Sequence, residues 1–271
     1  MKRTMKYILL LVLGCLLAAS CVFQVNNGAT FVGFCTEDGI DYTEVREVGN
    51  FNALSSGLPC NVYFSQSDKQ EVRVETTEEL APKVLTTVED GTLKLKLEKG
   101  NYPKLILRVV ITVPDIESIA IRGSGNLIHE GSLQVSKDLN VKVSGSGDIQ
   151  MGDIVCKAFE ARTSGSGDIS FGSIGCTDFS GAVNGSGNID INTLTASGNG
   201  SAHVSGSGDI RLRKVSVDGD MDLKTIGSGD ITVNGSCHDV TASSSGSGDI
   251  SGNLSHAGMR VSTSGSGDIN L

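Results

Sequence analysis

The chain has 271 residues and a formal net charge of −9 at pH 7, with 35 glycines, no tryptophan and only 4% aromatic residues. This composition disfavours a helical core, and an acidic surface without a basic stripe argues against nucleic acid or an anionic membrane surface as a partner. The hydrophobic residues, 38% of the chain, alternate with polar ones and suffice for a narrow core, which excludes a disordered Gly/Ser linker.

Residues 1–21 have the features of a bacterial export signal. Basic residues at the start precede an apolar stretch from Ile8 to Ala19, which is too short to span a bilayer. Cys21, which follows Ala-Ala-Ser, is the predicted lipidation site, and Cys15, which follows Val-Leu-Gly, is the alternative. We therefore expect a cell-envelope protein, either an outer-membrane lipoprotein or a secreted protein. The sequence leaves open whether it faces the periplasm or the outside.

The next segments are predicted to be a linker, residues 22–43, and an N-terminal β region, residues 44–122, that caps the repeats. Alternating apolar and polar residues predict strands at 61–64, 71–75, 93–97 and 105–113. Glu-Asp-Gly at 89–91 predicts a tight turn, and Pro82 keeps any helix near it short.

Eight copies of the motif Gly-Ser-Gly-Asp/Asn-Ile/Leu follow, beginning at residues 123, 145, 165, 185, 206, 227, 246 and 265. A near-constant period of about 20 residues is typical of a solenoid whose coils stack on one another. Each repeat carries short stretches of strand-like alternation, and residues 123–271 contain no helical period. We therefore predict an all-β fold: a right-handed parallel β-helix (β-solenoid) with about 20 residues per coil and less regular N-terminal β coils.

The motif itself is predicted to be a structural turn. Its glycines either adopt a positive φ or pack too closely for a Cβ, and its Asp or Asn accepts hydrogen bonds from the turn's own amides. The turn glycines are Gly145, Gly147, Gly165, Gly167, Gly206, Gly208, Gly227, Gly229, Gly246, Gly248, Gly265 and Gly267.

Calcium binding is the alternative for the aspartates of the motif. The weak candidate ligands are Asp148, Asp168, Asp209, Asp230, Asp249 and Asp268. Calcium needs six to eight oxygen ligands, and each coil offers only one carboxylate in this column. We therefore predict no dedicated metal site and no cofactor.

Five further cysteines, at 35, 60, 156, 176 and 237, indicate neither a complete disulfide framework nor a zinc site. Cys156 and Cys176 share a column with Ala196 and Val217, which favours buried free thiols. A Cys156–Cys176 disulfide between adjacent coils is the alternative. The four histidines, at 129, 203, 238 and 256, fall in different columns, so we expect surface or coil-edge positions and no catalytic cluster.

Three segments and the repeats carry a resemblance to a known family. The segments are Glu-Val-Gly-Asn-Phe-Asn-Ala-Leu (47–54), Val-Glu-Asp-Gly-Thr-Leu-Lys-Leu (88–95) and Ile-Thr-Val-Pro-Asp-Ile-Glu-Ser-Ile (111–119). From about residue 44 to 271 the chain resembles the "putative autotransporter adhesin, head GIN domain" family of bacterial envelope proteins. The resemblance implies a β-helix-like fold in a secreted or lipid-anchored protein, and it supplies no catalytic or binding residues.

We therefore expect a non-enzymatic envelope protein with an adhesion, surface-interaction or scaffolding role. Its expected partner is an envelope or extracellular protein or glycan, with membrane contact through a lipid anchor and no nucleic acid. The alternatives are a polysaccharide-active β-helix enzyme, which the scattered basic residues and missing tryptophans disfavour, and a calcium-binding solenoid. Because no polar element follows the last motif, we also expect a homo-oligomer through the uncapped C-terminal end.

Overall fold

The computed structural model describes the backbone of residues 22–25, 29–32 and 34–271, and the side chains from residue 34 onward. Cys15 and Cys21 lie outside the described residues. The described chain is almost entirely β-strand, with one short 3₁₀ turn at Ala81–Lys83. None of the described residues forms a helix with the length and hydrophobicity that a membrane span requires.

The described residues of the N-terminal half form thirteen strands. They are β1 (Val22–Val25), β2 (Ala29–Val32), β3 (Cys35–Thr36), β4 (Tyr42–Val45), β5 (Ala53–Ser56), β6 (Val62–Gln66), β7 (Glu71–Thr76), β8 (Val84–Glu89), β9 (Thr92–Leu97), β10 (Asn101–Tyr102), β11 (Leu105–Ile106), β12 (Arg108–Val113) and β13 (Ser118–Ile121).

The repeat half contains fifteen strands. They are β14 (Leu127–Gln134), β15 (Leu139–Val143), β16 (Ile149–Val155), β17 (Ala158–Thr163), β18 (Ile169–Cys176), β19 (Asp178–Val183), β20 (Ile189–Ala196), β21 (Gly200–Val204), β22 (Ile210–Val217), β23 (Met221–Gly227), β24 (Ile231–Ser236), β25 (Asp239–Gly246), β26 (Ile250–Ser255), β27 (Gly258–Gly265) and β28 (Ile269–Asn270).

Two long sheets run along the solenoid. Sheet A has twelve strands in the order β28-β26-β24-β22-β20-β18-β16-β14-β6-β12-β7-β4, and sheet B has eleven in the order β27-β25-β23-β21-β19-β17-β15-β13-β5-β9-β8. Every repeat coil adds one parallel strand to sheet A, and all but the last add one to sheet B. The Gly-Ser-Gly-Asp turn leads from sheet B back to sheet A. The predicted all-β parallel solenoid is confirmed, while its right-handed sense stays a prediction.

The coils stack in register, so each inward position lies on its own copy. Ile149 pairs with Ile169, which pairs with Ile189 and then with Ile210. All four side chains are buried, because alternate residues of a strand point to the same face. The interior is therefore a set of apolar columns that run along the rod, as the repeat alignment predicts.

The N-terminal half continues both sheets. Strand β6 pairs in parallel with β14, the first repeat strand of sheet A, and β13 joins β5 to β15, the first repeat strand of sheet B, also in parallel. Strands β12 and β9 are parallel to β6 and β5, and beyond them the pairing becomes antiparallel, between β4, β7 and β12 in sheet A and between β8 and β9 in sheet B. Asp90 (φ 50°) and Gly91 (φ 71°) form the tight turn between β8 and β9. Short strands also lie inside residues 22–43, the predicted linker.

At the other end, Met259 and Val261 are 45% and 47% exposed. They occupy columns that are buried in earlier coils, where another coil packs against them, and no further coil of the described chain covers them here. Association of two copies through this end stays a prediction.

Candidate functional site

The glycines of the motif lie directly against the backbone of the preceding coil. A Cβ at Gly145 would lie 2.0 Å from the Gly123 carbonyl oxygen, and a Cβ at Gly147 would lie 2.0 Å from that of Gly125. The same conflict, with a carbonyl oxygen 2.0–2.6 Å away, occurs at Gly165, Gly167, Gly206, Gly208, Gly227, Gly229, Gly246, Gly248, Gly265 and Gly267. Close packing is thus the shared reason for glycine at these positions.

Backbone conformation adds a second reason at three of these glycines. Gly227, Gly246 and Gly265 have φ angles of +124°, +143° and +140°, values that side-chain-bearing residues rarely adopt. The remaining turn glycines have no positive φ. Of the two alternatives for the motif, close approach therefore applies throughout and positive φ applies only near the C-terminal end.

The close approach allows the turns to bond to one another. The amides of Ser146 and Gly147 both donate to the Gly123 carbonyl oxygen, each at 3.2 Å. Equivalent pairs of bonds join each later motif to the one before it. The turn is therefore part of the coil-to-coil stacking and not a separate loop.

The Asp and Asn side chains of the motif form a ladder between coils, which we call the turn column. The Asp148 Oδ1 accepts a hydrogen bond from the Asp168 amide at 2.8 Å, and the Asp168 Oδ1 accepts one from the Asn188 amide at 2.7 Å. Seven such bonds, 2.7–2.9 Å long, connect Asn126, Asp148, Asp168, Asn188, Asp209, Asp230, Asp249 and Asp268. The acceptor role is the expected one, but the donor belongs to the next coil and not to the same turn.

The ladder leaves one oxygen of each aspartate for the solvent. Neighbouring carboxylates at the coil spacing of about 4.8 Å repel one another by about 1 kcal/mol in water. The backbone amides offset part of this repulsion, and Arg211 donates to the Asp209 Oδ2 at 2.6 Å. Because one oxygen is already bonded to an amide, each coil has even less to offer to calcium than its single carboxylate suggests.

Buried hydroxyls complete the turn from the inside. Thr163 donates to the Gly167 carbonyl oxygen at 2.9 Å, and Thr225 donates to that of Gly229 at 2.6 Å. Ser244 makes the same bond in a later coil. These polar residues stand in an inward column that also contains Val143, Val183 and Val204, and the hydrogen bond explains why the column tolerates them.

A second ladder, the corner column, precedes the strands of sheet B and was not foreseen from the sequence. Asp178 accepts a hydrogen bond from the Asn199 amide, Asn199 from the Asp220 amide and Asp220 from the Asp239 amide, at 2.9, 2.9 and 3.2 Å. The signal was present, because Asp138, Asp178, Asn199, Asp220 and Asp239 all immediately precede the first inward position of a sheet B strand.

Two shallow grooves lie along the corner column, with volumes of about 490 and 520 Å³, and both include Asp178 and Phe179. Their acidic lining residues are Glu117, Asp138, Glu160, Asp178, Asp220 and Asp222. Neither groove is lined by a lysine or an arginine, although Lys137 and Arg162 pair with Glu117 and Glu160 from outside. Carboxylates thus line both connections of the coil, with the turn column directly before the sheet A strands and the corner column directly before the sheet B strands.

At the corner column, three side chains form a group that could hold a metal ion: Asp220, His238 and Asp239. The His238 Nδ1 lies 3.1 Å from Asp220 Oδ1 and 3.8 Å from Asp239 Oδ1. The same Asp220 oxygen accepts the Asp239 amide, so the cluster is explained by the corner column. We assign no metal to it.

The prediction that all four histidines lie at the surface or at coil edges is wrong for His129. This side chain is 3% exposed and lies in an inward column of the first repeat. Its Nδ1 bonds to the Phe64 carbonyl oxygen at 2.9 Å, and its ring packs edge-on against that of Phe64. The preceding coil thus satisfies one ring nitrogen, whereas the buried Nε2 has no hydrogen-bond partner among the described residues.

Cys156 and Cys176 are free thiols in adjacent coils. Burial raises the pKa of Cys156 to about 11 and that of Cys176 to about 12. The thiolate is the nucleophile in cysteine chemistry, so both side chains are unreactive near neutral pH. Cys156 is buried, whereas Cys176 is only half-buried, so the interpretation of the column as a small buried site holds fully for Cys156 alone.

Comparison with solved structures finds the same fold in several crystal structures of bacterial proteins. A protein described as a putative adhesin from Parabacteroides merdae is 17% identical over 89% of this chain and 99% of the other, with a TM-score of 0.77. One described as a putative lipid binding protein from Parabacteroides distasonis is 24% identical over 87% and 98%, with a TM-score of 0.71. One described as a putative adhesin from Bacteroides fragilis is 22% identical over 88% and 99%, with a TM-score of 0.64.

No curated protein matches the chain. A family model does match, over residues 50–236 and again over 182–271, and these ranges include the first coils, all eight motifs and both ladders. The chain therefore belongs to the family described as "Putative auto-transporter adhesin, head GIN domain".

Proposed function

We propose that this chain is a non-enzymatic, lipid-anchored cell-envelope protein that binds a basic protein partner along its carboxylate columns. The observation that carries the proposal is the pair of carboxylate ladders, one directly before the strands of sheet A and the other directly before those of sheet B. Their aspartates are fixed by backbone hydrogen bonds, so their charges are held in a line without a large loss of side-chain entropy on binding.

Charge favours a protein partner over a glycan. The repeat half contains 16 acidic and nine basic residues, and acidic glycans would be repelled by it. Neutral glycans usually bind on aromatic side chains, and this chain has no tryptophan. A surface rich in lysine and arginine complements regularly spaced carboxylates, and such complementarity also speeds association.

Enzymatic activity has less support. A catalytic site needs side chains that depart from the repeat pattern and converge in one pocket. In the two grooves, Asp178 and Asp220 follow the repeat and accept backbone amides. Glu117, Glu160 and Asp222 are each paired with a neighbouring Lys137, Arg162 or His203 side chain. A lipid-binding role, named for the Parabacteroides distasonis structure, also has less support, because apolar side chains fill the described interior and the described grooves are lined by carboxylates.

The partner class is tested with a fluorescent lysine-rich peptide and the full chain. The test variant replaces Asp148, Asp168, Asp230 and Asp249 with asparagine, which keeps the ladder acceptor and removes four charges. At about 0.2–1 kcal/mol for each of the four exposed ion pairs, we expect affinity to fall about fourfold or more. Wild-type binding should also weaken as salt is added.

The control variant removes four charges elsewhere, with Asp68→Asn, Glu78→Gln, Glu79→Gln and Glu130→Gln. All four residues are exposed and lie outside both columns. We expect its affinity to stay within about twofold of wild type, because charges further than a Debye length from the partner are largely screened. Equal losses of affinity in both variants would show that only the net charge of the chain matters and would contradict binding along the columns. Salt-independent capture of a neutral glycan or of lipid vesicles would also contradict the proposal.

The lipid anchor is tested separately in cells. We expect Cys21→Ala to release the protein from the membrane fraction and to abolish incorporation of a radiolabelled fatty acid. Cys15→Ala is the matched control and should leave both unchanged. If Cys15→Ala releases the protein and Cys21→Ala does not, the anchor is at residue 15.

A further inference from the structure

A ninth, degenerate copy of the turn lies before the first motif and carries a cysteine where the motif has glycine. Residues 58–62 read Leu-Pro-Cys-Asn-Val. Gly125, the third residue of the first motif, stacks on Cys60, since a Cβ at Gly125 would lie 2.2 Å from the Cys60 carbonyl oxygen. Val62 pairs with Leu127, the fifth and last residue of the first motif. Cys60 therefore occupies the column formed by the third residue of each later motif, which is a glycine.

A side chain in that column points toward the preceding coil. In every later motif this space is filled by a backbone carbonyl, which is why the position is glycine. Before Cys60 the chain has no further motif, and residues 105–107 and the short strand β3 lie there instead. Strand β3 begins with Cys35, which pairs with Leu105 and whose thiol donates to the Leu107 carbonyl oxygen at 3.4 Å.

The two thiols meet at this end of the rod. Cys35 and Cys60, which are free thiols in this structure, line the same cavity of about 270 Å³, and each thiol shifts the pKa of the other. The Glu37 carboxylate holds β3 in place, because it accepts hydrogen bonds from Tyr63 at 2.8 Å, Asn61 at 2.9 Å and Arg108 at 3.1 Å. Both cysteine backbones are thus fixed by neighbours on the first coils.

We propose that Cys35 and Cys60 form a disulfide that fastens the segment following the export signal to the first coil of the solenoid. The inference rests on the proposed envelope location, where disulfides persist. It leaves Cys156, Cys176 and Cys237 as the free thiols of the described chain, which accounts for their odd number.

The chemistry assigns a different role to each sulfur. Cys35 is the more accessible of the two, and the hydrogen bond from Cys60 lowers the pKa of its thiol, whereas burial raises the pKa of Cys60. The Cys35 thiolate attacks the disulfide of an envelope thiol oxidase, breaking that bond and forming a mixed disulfide. Cys60 then loses its proton and attacks the Cys35 sulfur, which releases the oxidase as a dithiol. The chain loses two electrons and two protons, and the oxidase disulfide gains them.

The test uses the full chain, purified and incubated with excess oxidised glutathione, then alkylated and digested without reduction. With alkylation carried out after denaturation, we expect one cross-linked peptide pair containing residues 35 and 60, and alkylation of Cys156, Cys176 and Cys237. Alkylation of both Cys35 and Cys60, or a cross-link at Cys156–Cys176 in place of theirs, would overturn the proposal. The same analysis of protein isolated from the cell envelope reports on location, because a pair that oxidises in vitro and is reduced in cells points to another compartment.

Thermal unfolding gives a second readout. A disulfide closing a loop of this length is expected to raise Tm by about 5–10 °C, so a reductant should lower the Tm of the wild type by that amount. Cys35→Ser should unfold at the lower temperature with or without reductant, and it avoids a substitution in the buried position. Cys237→Ser is the matched control and should keep the full response to reductant. An equal response in Cys35→Ser and wild type would contradict the bond.

Discussion

Replacing Gly147 with alanine is expected to lower the free energy of unfolding by about 3 kcal/mol. The added Cβ would lie 2.0 Å from the Gly125 carbonyl oxygen, and overpacking of a well-packed interior typically costs about 1–3 kcal/mol. The upper end applies because the opposing atom is backbone. It cannot rotate away, so one whole coil must shift relative to the next.

Gly175→Ala is the matched control, in a strand of the same solenoid. A Cβ there would lie 3.8 Å from the Val155 side chain, an ordinary contact. We expect a change within about 0.5 kcal/mol or a slight stabilisation, because alanine restricts the unfolded chain. Urea unfolding followed by circular dichroism measures both variants. Equal stability of Gly147→Ala and Gly175→Ala would show that the motif glycines are not required by stacking.

The second large loss of stability is expected when the turn column is interrupted. Asp168→Ala is expected to cost about 1–2 kcal/mol, because it leaves the Asn188 amide without its acceptor. Asp168→Asn is expected to stay within about 0.5 kcal/mol of wild type, since an asparagine oxygen can accept the same bond. The chain already supplies the precedent, because Asn188 accepts from the Asp209 amide at 2.9 Å.

The same unfolding measurement separates hydrogen bonding from charge at this position. Loss of stability in the alanine variant alone identifies the ladder bond as the contribution of the side chain. If both variants lose the same stability, the carboxylate charge matters and a bound cation becomes the better explanation. If neither does, the ladder bonds contribute nothing measurable.

The sequence predicts the core well because the coils stack in register. Residues such as Ile149, Ile169 and Ile189 repeat at one spacing, and stacking then places them in one buried column. The alternation that marks a strand and the period that marks a coil are both local properties. They can therefore be seen without knowledge of the three-dimensional contacts.

The contacts between coils are harder to predict. An Asp in a Gly-rich turn can accept from its own turn or from the next coil, and a single repeat looks the same in both cases. The corner column is further obscured because Ala158 and Gly258 interrupt it. His129 was misplaced because its partner, the Phe64 carbonyl, lies in the irregular half.

The Cys35–Cys60 pair shows the same limit at the end of the rod. The two residues belong to a strand and a turn that depart from the repeat spacing, so no column aligns them. The degenerate motif at residues 58–62 is recognisable only once Val62 is known to pair with Leu127. The contacts at the irregular end of a solenoid are thus recognised only from the three-dimensional structure, whereas the core of its regular coils is predicted from the sequence.

Hydrogen exchange at the Asn188 amide tests most directly whether the repeated Asp joins one coil to the next. The amide should be protected in the wild type and in Asp168→Asn, and should exchange much faster in Asp168→Ala, while the amide of Ile149, which bonds to the Asp168 carbonyl, stays protected in all three. Unchanged protection of the Asn188 amide in Asp168→Ala would contradict the ladder and would indicate that the aspartate side chain bonds within its own turn.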